Sequence, residues 1–357
     1  MAKVLSILFG FLGFLTVVIF PFSTAAASST FNLTTSPVSE VVYAKPGSST
    51  TTTLHVLNNS ATPINLRIKL FTFGAQGTSG KPALRLPTAA DTFISWAHFS
   101  PSTFVAQPDV PTKVTMTLDI PKTASLGYNY GVAFEPLNQT IANNPGTTIS
   151  GTNVILVLVD TTSANEVHSV KVASFTVSKH LYEYLPATFN INVHNNGNIF
   201  LAPSGDIFIS KNSNFSAGSI IDTIPVNNSQ GNVLPGTNRV FTAQWTDGFP
   251  VYVPKEIAGH EVVKNNQLVY SLQWNFSKAN RLRFGKYYAK LILSYNNGIR
   301  QVPVVAVVSF WVVPWKLLLI LLVVLVLVLI GLRRWAIQLV NLIKKLTGAL
   351  SRRYGKH

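Results

Sequence analysis

The sequence predicts an all-β protein: two Ig-like β-sandwich domains in tandem, followed by one C-terminal transmembrane α-helix. Three observations carry that expectation. Short alternating segments rich in Val, Ile, Thr and Phe fill the middle of the 357-residue chain, where helical periodicity is nearly absent. Two local strings recur in the same order in its two halves. Two long apolar runs stand at its ends.

Charge narrows the function classes. The chain carries 28 Lys+Arg against 13 Asp+Glu, a formal +15. An excess of that size would suit a nucleic-acid binder, but it is unevenly placed. Between Ser28 and Trp315 there are 19 basic and 13 acidic residues, whereas Arg333 to His357 holds seven basic residues and no acidic one. Basic residues beside an apolar run are the pattern of membrane topology, so no nucleic-acid partner is expected. The chain has no cysteine, which excludes a disulfide scaffold and every cysteine-ligated metal centre.

Residues 1–27 read as a signal peptide. Lys3 precedes an apolar run from Val4 to Phe20, and the helix-breaking Pro21 and the small residues Ala25-Ala26-Ala27 follow where a peptidase needs extended chain. An uncleaved anchor is the alternative. The first sandwich is expected over 28–162. Its strands show in Thr53 to Leu57, Lys113 to Ile120 and Asn153 to Val159. The boundary falls in Thr161 to Glu166, and the second sandwich is expected over 163–313.

The repeated strings tie the halves together. Leu54-His55-Val56-Leu57-Asn58-Asn59-Ser60 matches Ile191-Asn192-Val193-His194-Asn195-Asn196-Gly197, a strand running into an Asn-rich turn, read as a hairpin. Gly127-Tyr128-Asn129-Tyr130-Gly131 matches Gly285-Lys286-Tyr287-Tyr288-Ala289, where a sandwich places its tyrosine corner. The offsets between paired strings, 137 and 158 residues, differ by an insertion of about twenty in the second half.

The second half closes with a hairpin around Asn296-Asn297-Gly298 that feeds through Pro314 into the apolar run Leu317 to Leu332. With its flanking tryptophans and Arg333-Arg334, the segment 314–334 is long enough to span a bilayer. The positive-inside rule puts His357 in the cytoplasm, giving a single-pass cell-membrane protein with an extracellular N-terminal ectodomain. In 335–357, Trp335, Leu339, Ile343, Leu346 and Leu350 recur at helical spacing, which fits a basic amphipathic helix on the inner leaflet or a plain stop-transfer tail.

Several stretches resemble the WxL-interacting proteins, a family of bacterial surface proteins. They are Tyr43 to Ser48, the strand into Asn58-Asn59, Ser95-Trp96-Ala97-His98-Phe99-Ser100-Pro101, and Ile120-Pro121 through Gly127-Tyr128. Asn195 to Phe200 and Val233-Leu234-Pro235-Gly236 stand in similar surroundings in the second half. The resemblance implies a peptidoglycan-binding Ig-like domain, a second Ig-like domain that contacts partners, and a membrane helix with a basic tail. It assigns no individual binding residue.

Catalytic motifs are missing: there is no HExxH, GxSxG, Walker loop or GxGxxG. No enzyme activity, metal or cofactor is expected. Glu256, His260 and Glu261 are close in sequence but read as an ordinary loop. Leu234-Pro235-Gly236-Thr237-Asn238 lies too far from the membrane run to be a sorting signal and reads as a tight turn. Two sets remain as ligand-binding candidates. Trp96, His98 and Phe99 could stack on sugar faces, although their alternation suits core burial better. Lys278, Arg281, Arg283, Lys286 and Lys290 form the densest basic cluster of the ectodomain and could meet lipid headgroups or anionic wall polymer, or simply be a solvated face.

The expected function is therefore a non-enzymatic, membrane-anchored surface scaffold or adhesin that binds peptidoglycan, another anionic wall polymer, or another surface protein. The alternative is a membrane-tethered extracytoplasmic chaperone or assembly factor acting by β-strand addition.

Overall fold

The computed structural model describes residues 32–124, 126–137, 154–162, 164–216, 218–265 and 267–354. The predicted signal peptide lies outside them. In chain order the first half forms β1 (Leu33–Ser36), β2 (Ser39–Tyr43), β3 (Ser49–Asn58), β4 (Ile64–Ala75), β5 (Pro82–Arg85), β6 (Ala97–Ser100), β7 (Thr103–Ala106), β8 (Thr112–Asp119), β9 (Gly127–Pro136) and β10 (Val154–Asp160). The second half forms β11 (Val170–Val177), β12 (Leu181–Tyr182), β13 (Ala187–Asn195), β14 (Ser204–Ser210), β15 (Ile220–Val226) and β16 (Asn238–Trp245). An arm follows, made of β17 (Val251–Pro254), β18 (Glu256–Ile257), β19 (His260–Glu261), β20 (Val263–Lys264), β21 (Gln267–Leu268) and β22 (Tyr270–Gln273). Strands β23 (Gly285–Asn296) and β24 (Gln301–Val312) precede the single α-helix, α1 (Trp315–Tyr354).

Each half is a pair of stacked sheets. The first pairs the order β1-β3-β8-β6 with β2-β10-β9-β4-β5, and β7 lies end to end with β5 along β4. The second pairs β11-β13-β16 with β12-β24-β23-β14-β15. Strict alternation makes this stacking the stable solution. In β13, Ala187, Phe189, Ile191, Val193 and Asn195 are buried while the residues between them are not. Each pair encloses its own core. In the first, Leu54, Val56 and Met116 meet Leu66, Val132, Phe134 and Val157. In the second, Phe189, Ile191 and Trp245 meet Ile207, Leu291 and Phe310.

The Asn-rich strings correct one expectation. They are corners where the chain changes sheet, not hairpins, because β3 and β4 lie in different sheets, as do β13 and β14. Asn58 is fully buried; its Nδ2 donates to Thr62 O and Ala106 O, and its Oδ1 accepts from Ser60 N. Asn195 does the same with Ile199 O, Val233 O and Gly197 N. A buried carbonyl left without a donor is costly, so this side chain closes the corner in both halves. The hairpin at Asn297-Gly298 is present, with Gly298 at φ 91°. Leu234 to Thr237 is a turn, closed by Thr237 N to Leu234 O at 3.2 Å.

The halves touch through a third apolar cluster of Phe73, Leu158 and Phe200, joined by Val41, Leu84, Leu156 and Leu234. The β4–β5 hairpin tip reaches across, and Val240 N donates to Thr78 O at 2.8 Å. At the other end, only Val313 and Pro314 separate β24 from α1. The apolar stretch Trp315–Asn341 is long enough to cross a membrane, which fits a single-pass anchor. The helix continues without a break through the basic residues to Tyr354.

Candidate functional site

The best candidate site is a strand edge, and comparing the two halves exposes it. In the first half, β10 is flanked on one side by β9 and on the other by β2, which runs parallel to it from Leu156↔Ser39 to Asp160↔Tyr43. In the second half, β24 occupies the corresponding place beside β23. Its cover, β12, is only two residues long and pairs at Leu181↔Trp311 and Tyr182↔Val312. Among the described residues, Gln301 to Phe310 have no strand partner on that side. Strand β11 runs past with Val172 packed on the same core as Ala306 and Val308, without hydrogen bonds to β24.

The backbone polarity of the edge follows from the register. Trp311 N donates to His180 O and Val313 N to Tyr182 O, both at 2.8 Å and both away from β23. Alternation then turns the N–H groups of Val305, Val307 and Ser309 to the open side. Pro303, at the same parity, sits where a missing N–H costs the ladder nothing. The side chains of this set also face out, with Val305 52% and Val307 54% exposed. Natural edges are usually blunted by charge, bulges or shortness. From Gln301 to Val313 this one has no charged residue, and its ladder to β23 has no bulge; Pro303 guards only its start.

Two of the predicted basic residues border this edge. Lys290 lies opposite Val307 and Lys286 opposite Trp311, on the outer face of β23. Their ammonium groups sit over the rings of Phe215 and Tyr288 at 5.7 and 5.1 Å. Arg281 and Arg283 do not join them. Both pair with the Asp247 carboxylate, Arg283 at 2.5 Å, and the Arg283 guanidinium covers the Trp245 ring. Burial alone would raise Asp247, but the two arginines outweigh it and hold the carboxyl below its usual range. Lys278 stands exposed on the loop beyond. The predicted five-residue cluster is thus three separate groups.

Trp96 and Phe99 pack against the core of the first half, Trp96 edge-on to Tyr128 and Phe93, while His98 points outward to Asp119 at 3.3 Å. Alternation alone would have put His98 on the same side as Trp96; Trp96 instead ends the 3-10 turn Thr92–Trp96, and the strand begins only at Ala97. Glu256 and Glu261 face each other across an exposed hairpin, and no group able to hold a metal ion occurs among the described residues.

Sequence reasoning missed the cleft between the halves. It measures about 280 Å³ and is lined by Phe73, Leu156, Leu158 and Leu234 and by the Arg239 side chain. Burial lowers the Arg239 pKa from its ordinary value. Its guanidinium donates to Asn232 O, lies over the Phe241 ring, and is packed between Gly80 and Gly231. Gly80 and Arg239 stand in different halves of the chain, and no local pattern announces their meeting.

No family model and no curated protein matches the chain. Solved structures with a distant likeness include the class 5 fimbriae chaperone CfaA, 15% identical over 78% of this chain and 99% of that one, with a TM-score of 0.35. The YadV chaperone is 9% identical over 77% and 99%, TM-score 0.32. The E. coli chaperone DraB is 11% identical over 79% and 97%, TM-score 0.30. Identities and scores this low leave the functional reading to the chain's own geometry.

Proposed function

We propose that the protein is a membrane-anchored, extracytoplasmic assembly factor of two Ig-like domains that holds segments of client proteins by strand addition along β24. The uncharged edge from Val304 to Phe310, whose outward backbone groups have no ladder partner, carries this reading. An extended client segment there would satisfy the outward N–H and C=O groups, and its alternate side chains would lie beside Val305 and Val307. Lys286 and Lys290 favour clients with acidic residues near that register. Wall-polymer stacking draws no support from Trp96 and Phe99, whose rings are spent on the core. The charge bias around α1 supports an ectodomain outside the cytoplasm.

The test uses a photo-reactive phenylalanine analogue in place of Tyr288, which pairs with Ser309, in the full-length protein in producing cells. Transient adducts with several exported proteins are expected. They should fall by on the order of tenfold in Val307→Pro, which removes one outward N–H and leaves the ladder to β23 intact. A single persistent adduct would instead indicate a fixed scaffold, and adducts unaffected by Val307→Pro would refute strand addition.

A further inference from the structure

We propose that the membrane-proximal end of the second half carries a second, non-spanning membrane contact: an aromatic and basic patch of Phe249, Trp274, Phe276, Lys278, Leu282 and Phe284 that seats in the headgroup–acyl boundary beside α1. This surface is separate from the β24 edge and concerns how the molecule is held. It rests on α1 crossing the bilayer.

The start of the span is fixed to the fold with little slack. Val313 N is bonded to Tyr182 O, and Lys316 Nζ pairs with Glu183 Oε2 at 2.8 Å. The residue after Glu183, Tyr184, opens a chain of rings. It meets Trp274 at 6.4 Å, Trp274 stacks with Phe276 at 6.2 Å and 26°, and Phe249 touches both at 5.7 and 5.4 Å. The patch is therefore linked by direct contacts to the first turn of the membrane helix. Yet its outer members are bare: Phe276 is 73% exposed, and Trp274, Leu282 and Phe284 are also exposed.

The patch is presented by an ordered loop. Asn275 caps the short 3-10 turn Phe276–Arg281, its Oδ1 accepting from Ser277 N and Oγ. Asp247 clamps Arg281 and Arg283 on the other side. Exposed aromatics at the end of a fold from which a membrane helix emerges match the belt that Trp and other aromatic residues form at bilayer interfaces. Charge agrees. Lys278 is exposed, while the nearby carboxylates Glu183 and Asp247 are both occupied in ion pairs. The geometry thus favours a bilayer with anionic headgroups over a protein partner, because the bilayer must begin where Trp315 and Lys316 begin.

The native absence of cysteine makes the test direct. Full-length Phe276→Cys, Leu282→Cys, Lys113→Cys and Leu325→Cys proteins are spin-labelled and reconstituted in phosphatidylcholine nanodiscs with and without phosphatidylglycerol (about one anionic lipid in three, near the anionic range of natural leaflets). Labels at 276 and 282 should be more accessible to oxygen than to a water-soluble nickel chelate, and the anionic lipid should increase the difference. The label at 113 should show the reverse, and that at 325 should report the span itself. Labels at 276 and 282 as water-exposed as that at 113, with 325 in lipid, would overturn the patch and leave the anchor standing. Low accessibility to both reagents would mean a protein cover and would also overturn it. Water exposure at 325 as well would refute anchor and patch together.

Discussion

Asn58 and Asn195 show how one side chain can decide a corner. Each is buried and makes three hydrogen bonds to backbone. Asn195→Ala removes the side-chain donor from Ile199 O and leaves Val233 O with Leu201 N alone, while Gly197 N loses its acceptor. It should cost about 3 kcal/mol in chemical denaturation of the second half, against about 1 kcal/mol or less for Asn196→Ala beside it. The repeat of these asparagines was legible in the sequence. Their role was not, because a hairpin turn and a sheet-changing corner use the same residues for the same left-handed and self-capping tendencies. What separates them is whether the following strand pairs with the one before, and that is a long-range fact. Gly197 carries a further constraint absent from Ser60, since a Cβ there would collide with Val167 O. A second residue-scale asymmetry concerns Glu135, buried beneath the part-exposed Arg67 at 2.6 Å. Arg67→Ala should destabilise more than Glu135→Gln in the same assay, because it leaves the buried carboxylate only the longer Lys69 contact at 3.9 Å, whereas Glu135→Gln releases a part-exposed cation to water.

Elements near the C-terminal end of the chain were the most legible. The final hairpin and the apolar helix follow from a turn signal and an uncharged run, both local. The offset between repeated strings also anticipated extra chain in the second half, and the structure places it between β16 and β23, where the arm and the aromatic loop lie. The contrast between β10, paired along its outer side, and β24, paired there over only two residues, was invisible, since it depends on how far β2 and β12 extend along their partners. The connection between halves has its own chemistry. Asp160 ends β10, and its Oδ1 accepts from Thr162 N; it interacts with Glu166, whose Oε2 lies 3.0 Å from His168 Nε2. Burial first, then the Glu166 carboxyl, push Asp160 up to about 6. A folded value above the unfolded one, about 3.9, means that ionisation opposes the fold. This contribution to stability should thus be fully present below about pH 4 and decline as pH rises through about 6. Thermal melts of Asp160→Asn should lose most of that decline, and an identical pH dependence in the variant would disprove the assignment.

At the scale of the whole molecule, the two halves are joined by more than a linker. The β4–β5 tip, Arg239 and the Phe73–Leu158–Phe200 cluster form one junction. Gly80 is its tightest point: it holds φ 73°, and a Cβ added there would run into the Arg239 guanidinium. Gly80→Val should displace the tip and break the Thr78–Val240 bond. Proteolysis in residues 161–169 should then quicken by on the order of tenfold, about 1.4 kcal/mol in the opening equilibrium, with each core still intact by tryptophan fluorescence. An unchanged cleavage rate would show that the tip does not hold the halves together.

The near absence of slack between β24 and α1 also has a mechanical meaning. A pull between the bilayer and the outer end of the molecule enters through Val313 and Pro314 and runs along the axis of β24. There it is met by twelve residue pairs with β23, loaded side by side rather than opened one after another. A client strand lying along the free edge would be sheared against the same strand, so the segment that anchors the protein is also the one best arranged to bear tension.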